Sequence, residues 1–184
     1  MAYIGGIVTG FYLFASAPGI HKKTKWQHLT GWDYAHRGLY DNEHGIPENS
    51  MAAFHRAVDK GYGIELDVHL TADNQLVVFH DDTLTRMCGV NKKISSFLYS
   101  DLMQLRLLGT EEGIPLFKDV LELIDGKVPL IIELKVDGSN QNLLCPLVWQ
   151  LLSRYKGDYC IESFHPFVLQ WFKRHEPQVV RGQL

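Results

Sequence analysis

The chain has 184 residues, 46% of them apolar, and a formal net charge of -3. That length suffices for one good core and one domain rather than two, and the small negative balance offers no basic surface for a nucleic-acid partner. Its three cysteines, Cys88, Cys145 and Cys160, are scattered and odd in number. They suggest neither a disulfide framework nor a CxxC metal site and fit a reducing compartment.

The amino-terminal run from Tyr3 to Ile20 carries no charge and is followed at once by "HKKTK". At about 1.5 Å per residue it is just long enough to cross much of a hydrocarbon layer of roughly 30 Å. No basic segment precedes it, and Pro18 directly follows the small-residue "ASA", so it reads as an uncleaved anchor rather than a secretory signal or a soluble apolar arm. Lys22, Lys23 and Lys25 on its carboxyl side predict a membrane-anchored protein whose remainder faces the cytoplasm. The expected organisation is therefore an anchor with a basic linker over residues 1–31 and one domain over residues 32–184.

From residue 32 onward short apolar runs alternate with amphipathic ones, the pattern of repeated βα units around a parallel sheet. The predicted strands are "WDYAHR", "YGIELDVHL", "QLVVFH", "VPLIIELKV", "DYCIESF" and "VVRGQL". Between the first two, "PENSMAAFHRAVDKG" predicts a helix capped by Asn49 or Ser50, with Met51, Phe54, Ala57 and Val58 on its apolar face and Gly61 as its stop. "IPLFKDVLELIDG", "NLLCPLVWQLLSRYKG" and "FHPFVLQWFKRHEP" predict further helices, the middle one disturbed by Pro146. The stretch Asn91 to Gly113 shows only a short helix, from about Ser100 to Leu108.

Polar residues interrupt two of these strands in a pattern that core packing does not require. In "GIELDVHL" the period of two sets Glu65, Asp67 and His69 on one face, opposite Ile64, Leu66, Val68 and Leu70. In "LIIELKV" the same alternation pairs Glu133 with Lys135. Buried carboxylates are costly unless paired or bound to a cation, so two strands aiming carboxylates the same way suggest a shared metal. The alternative is a buried ion-pair cluster or an outward polar face. An all-oxygen site favours Mg²⁺ or Ca²⁺ over zinc.

His36 and His80 each end a predicted parallel strand, the rim where α/β barrels place active sites. Two imidazoles there can divide general acid and general base work. His44, His55 and His175 fall in turns or helices, and His21 and His28 in the basic linker, so these five read as structural. His69 shares the carboxylate face but lies further along its strand.

Three blocks, "AHRG", "PENSMAAFHRAVDKGYGIELDVHLTADNQLVVFHDDTLTRMCG" and "IPLFKDVLELIDGKVPLIIELK", occur in an order and spacing that resemble the glycerophosphodiester phosphodiesterase family, of the phospholipase C-like phosphodiesterase superfamily. The resemblance covers roughly residues 32–184. It implies a TIM-type barrel that hydrolyses glycerophosphodiesters to glycerol 3-phosphate and an alcohol. It further implies one divalent cation, Mg²⁺ or Ca²⁺, held by Glu65, Asp67 and Glu133, an acid/base pair of His36 and His80, and phosphate contacts from Arg37 and Lys135. Glu48, Asn49 and Asp81 are candidates for holding these groups in place. The sequence does not assign acid and base between the two histidines.

Six predicted strands fall short of the eight of a closed barrel, so the expected architecture is an α/β barrel of this type left incomplete. The chain reads as a fragment of a longer product rather than a short protein that completes its sheet by association. Three functions follow: a metal-dependent phosphodiesterase of glycerophosphodiesters, a lysophospholipase D acting at the membrane, or a non-catalytic membrane-bound domain that binds head groups or another protein.

Overall fold

Residues 27–184 are described by the computed structural model; the expected anchor from Tyr3 to Ile20 lies outside them. Among the described residues no helix is long and apolar enough to cross a membrane. Six strands form: β1 (Tyr34–His36), β2 (Gly63–Leu70), β3 (Leu76–Val78), β4 (Leu130–Leu134), β5 (Tyr159–Ser163) and β6 (Val180–Gln183). Five of them pair in parallel, in the order β1-β2-β4-β5-β6, and the sheet does not close among the described residues.

The helices are α1 (Met51–Lys60), α2 (Thr85–Cys88), α3 (Tyr99–Leu102), α4 (Phe117–Ile124), α5 (Gln141–Leu152) and α6 (Pro166–His175). Ser50, not Asn49, caps α1 by accepting the Ala53 amide, and Gly61 ends it in the left-handed region. Asn49 instead sits just ahead of the helix with φ 54. α5 runs through Pro146. The carbonyl that Pro146 cannot serve belongs to Asn142, which is exposed and can be hydrated. The helix expected near Ser100 to Leu108 is reduced to α3 and a 3-10 turn at Leu107–Gly109.

The alternation in β2 sorts its side chains as expected. Ile64, Leu66 and Val68 are fully buried in the main core, with Phe54 and Ala57 of α1, Phe117 and Val120 of α4, and Val148 of α5. Removing each such side chain from water contributes about 1.5–3 kcal/mol. The opposite face of β2 carries Glu65, Asp67 and His69.

One strand departs from expectation. β3 is antiparallel to β2, with Val68 opposite Val78 and Leu70 opposite Leu76. The reason is the short connection: Thr71 to Gln75 forms a tight turn closed by the Thr71 amide bonding to the Gln75 carbonyl, and a parallel crossover needs roughly a dozen residues. β2 thus climbs beyond the sheet, turns, and β3 descends until the Phe79 amide bonds to the Asp67 carbonyl at 3.0 Å. His80 is thereby delivered back to the level of Asp67. Residues beyond β3 build a second core around Phe79, Leu84, Met87, Ile94, Leu102 and Leu107.

The loop after β1 is fixed by close approach to α1. Gly38 has φ 80, and a Cβ there would stand 2.9 Å from the Ala53 Cβ. Gly38→Ala is expected to destabilise the fold by about 2–4 kcal/mol, through the unfavourable φ and the overlap together, as measured by urea denaturation. A loss below about 0.5 kcal/mol would show that α1 yields freely.

Candidate active site

Three strands and two loops converge at one end of the sheet. Asp67 on β2 pairs in register with Glu133 on β4, and His36 on β1 with Glu65 on β2, so the pleat aims these side chains into one space. One carboxylate oxygen from each of Glu65, Asp67 and Glu133 lies within 4.8 Å of the others. The three residues that spacing predicts as ligands are therefore brought together.

The electrostatics of this cluster are unfavourable in isolation. Burial, then the neighbouring Asp67 charge, pushes the Glu65 carboxyl up to about 7, against a hydrogen bond from the Arg37 amide at 2.9 Å. Burial likewise raises Glu133, although Lys135 opposes it. The Lys135 ammonium lies 3.0 Å from Asp67 Oδ1 and 2.8 Å from Glu133 Oε2. Burial works against its charge, but Asp67 and Glu133 outweigh that and hold its pKa above the ordinary value. Lys135 thus bridges two of the three carboxylates, while the Arg37 guanidinium, 3.9 Å from Asp67, is itself paired with Glu48.

Two buried polar atoms at this point, Arg37 Nε and Asn49 Oδ1, lack hydrogen-bond partners, and Asp67 Oδ1 has only the Lys135 ammonium at 3.0 Å. Each such atom costs about 1–3 kcal/mol unless something satisfies it. An excess of negative charge and an all-oxygen donor set gathered within 4.8 Å together fit a hard divalent cation held by Glu65, Asp67 and Glu133.

Arg37 occupies the left-handed region at φ 59, which costs about 1–2 kcal/mol for a residue with a Cβ. That geometry turns its amide to Glu65. Its side chain donates from Nη1 to Glu48 Oε1 at 2.9 Å, and its Nε stands 3.9 Å from Asp67 Oδ2. Asn49, also left-handed, donates to Asp67 Oδ2 at 2.9 Å. Glu48 and Asn49 thus hold the site from behind. Burial would raise the Glu48 carboxyl, but hydrogen bonds from Arg86 and Arg37 outweigh it and hold Glu48 below its ordinary value.

His36 presents Nε2 3.8 Å from Glu65 Oε2. Partial burial, then the Arg37 charge, holds its pKa below the ordinary value, with His80 among the lesser charges acting on it. The His80 ring donates from Nδ1 to Asp81 Oδ1 at 2.7 Å. His69 lies on the predicted face but joins no carboxylate; its Nε2 meets the His80 carbonyl at 3.2 Å and burial lowers its pKa. His44 and His55 pair with surface aspartates, and His175 stacks on Trp171.

A cleft of about 340 Å³ opens beside Glu133 and Lys135 and is also lined by Asp82, Ser163, Phe164 and His165. Phe164 is 68% exposed there. None of those four was singled out by spacing. Glu162 was also missed, although "YCIES" alternates as β4 does and Glu162 pairs in register with Glu133.

The profile of the glycerophosphoryl diester phosphodiesterase family matches residues 36–184. Lysophospholipase D GDPD1 of Rattus norvegicus is 33% identical over 172 residues, covering 86% of this chain and 52% of that protein. A glycerophosphodiester phosphodiesterase of Caldanaerobacter subterraneus subsp. tengcongensis is 34% identical over 166 residues, covering 82% of this chain and 65% of that one. Among solved structures, an Oleispira antarctica phosphodiesterase in complex with its product sn-glycerol-3-phosphate superimposes with a TM-score of 0.76 at 28% identity, covering 84% of this chain and 66% of that one. This chain spans about half the length of the first of these relatives.

Glu65 must lose its proton to serve as a ligand, so cation and proton compete for it. Calorimetric affinity for Mg²⁺ or Ca²⁺ is expected to fall as pH drops through about 7, with protons released on binding. An affinity equal at about pH 5.5 and about pH 8 would remove Glu65 from the ligand set.

Proposed function

The chain belongs to the glycerophosphoryl diester phosphodiesterase family, and from that premise we propose that it takes part in metal-dependent hydrolysis of glycerophosphodiesters to glycerol 3-phosphate and an alcohol. The observation that carries this reading is the meeting of Glu65, Asp67 and Glu133 within 4.8 Å on a rim that also presents His36, Arg37 and His80. The product named in the Oleispira antarctica structure supports the same substrate class.

A phosphodiester carries a negative charge that repels nucleophiles. A bound Mg²⁺ or Ca²⁺ on Glu65, Asp67 and Glu133 supplies positive charge to offset that building on the phosphoryl oxygens. Arg37 adds a planar fork suited to two such oxygens, and Lys135 a point charge beside them. One histidine takes the proton of the nucleophile as the new P–O bond forms; the nucleophile is water, or else the adjacent glycerol hydroxyl, whose cyclic phosphodiester is then opened by water in a second such step. The other donates a proton to the alcohol oxygen as the old P–O bond breaks. Asp81 orients the His80 ring in either role through its 2.7 Å contact with Nδ1.

A second reading keeps the site and takes lysophospholipids. It is favoured by the relative named as a lysophospholipase D and by Phe164, an exposed apolar ring on the cleft. Membrane attachment through Tyr3 to Ile20, with the domain on the cytoplasmic side, belongs to this reading and keeps the enzyme near such lipids.

The test is release of glycerol 3-phosphate from glycerophosphocholine by the full chain, with Mg²⁺, Ca²⁺ or chelator. Hydrolysis is expected to require metal and to fall by on the order of 100-fold or more in His36→Ala, His80→Ala and Glu65→Ala. Choline release from lysophosphatidylcholine alone would favour the second reading. Metal binding without cleavage of either substrate would leave a binding domain.

A further inference from the structure

The proposed acid/base and phosphate groups come from different parts of the chain. His80 follows the β2–β3 hairpin and Arg37 follows β1, yet one side chain joins them. Arg86 on α2 donates from Nε and Nη2 to the two oxygens of Asp81, both at 2.8 Å. It also donates from Nη1 and Nη2 to the two oxygens of Glu48, at 2.9 and 2.6 Å. The oxygens that receive Nη2 are shared: Asp81 Oδ1 also meets His80 Nδ1 at 2.7 Å, and Glu48 Oε1 also accepts from Arg37 Nη1 at 2.9 Å. A continuous file therefore runs from His80 through Asp81, Arg86 and Glu48 to Arg37.

We propose that Arg86 is a positioning residue that fixes the His80 ring and the Arg37 fork relative to one another, an inference that rests on the phosphodiesterase reading for its catalytic consequence. Two features separate it from a simple clamp between loops. Both of its carboxylate partners are themselves bonded to the proposed site groups, through the same oxygens. Its guanidinium also reaches all four oxygens of the two carboxylates, so it sets their geometry as well as neutralising Glu48, whose side chain is 6% exposed. α2 is seated by Leu84 and Met87 in the second core, which aims Arg86 back at the rim. The guanidinium offers N–H groups to both oxygens of each carboxylate, four contacts in one plane, more than the three protons of an ammonium supply.

Three measurements on the full chain test this. Arg86→Met is expected to lower kcat for glycerophosphocholine by about 10- to 100-fold, with KM changed by less than about threefold and Mg²⁺ affinity close to that of the parent, when assayed well below its lowered melting temperature. Arg86→Lys is expected to restore little of that rate, because charge without the fork does not hold both partners. Long-range ¹H–¹⁵N spectra of the histidine rings, assigned with His80→Ala, are expected to show a single His80 ring state that gives way to averaged signals in Arg86→Met. A kcat within twofold of the parent in Arg86→Met, full rescue by lysine, or an unchanged His80 ring spectrum would overturn the proposal. Should the parent chain cleave no glycerophosphodiester, the functional reading falls instead, and the ring spectrum alone then decides whether Arg86 positions His80.

Discussion

Repulsion among Glu65, Asp67 and Glu133 is the constraint around which this end of the molecule is arranged. Strand pairing forces the three carboxylates together within 4.8 Å, and their partly dry setting magnifies the Coulomb penalty. Every neighbour compensates for it. Lys135 bridges two of them, the Arg37 amide binds the third, and the Asn49 amide reaches Asp67 from the helix-capping loop. The left-handed backbone at Arg37 and Asn49 is part of the same solution, since it points those groups inward at a conformational cost. Such a concentration of charge makes sense in a structure that receives a cation.

Much of this arrangement was legible before any coordinates. The period of two in "GIELDVHL" and "LIIELKV" fixes which side chains share a face, and the strongly apolar opposite face fixes which way that face must point. Gly61 marks the end of α1 by capping chemistry alone, whereas its start lay open between Asn49 and Ser50 and is decided by the Ser50 side chain, which accepts the Ala53 amide. What periodicity does not encode is direction. β3 is a short apolar run that looks the same in a parallel or an antiparallel sheet, yet only five residues separate Leu70 from Leu76, and that distance already favours a hairpin.

The file through Arg86 was not legible for a different reason. Its members come from three separated stretches, and their meeting depends on where the second core seats α2. Asp81 could be named as a support because it adjoins His80 in sequence; Arg86, only five residues further on, shows its role only once α2 folds back to reach Glu48. His165 and Phe164 follow β5 in the chain and gain meaning only through the cleft they line with Lys135. Long-range neighbours of this kind are set by packing, which a single sequence does not display.

The hairpin between β2 and β3 also divides the order in which the site assembles. Hairpins closed by a turn of this length form in about 1–10 μs, and the second core beside it draws on residues between Val77 and Ile114. The pairing of Asp67 with Glu133 joins positions that lie far apart in sequence and must await slower loop closure. His80 and its support can therefore be in place while the carboxylate cluster is still apart. Part of the repulsion, between Glu65 and Asp67, is intrinsic to β2, and the strand that adds Glu133 also carries Lys135 to offset it.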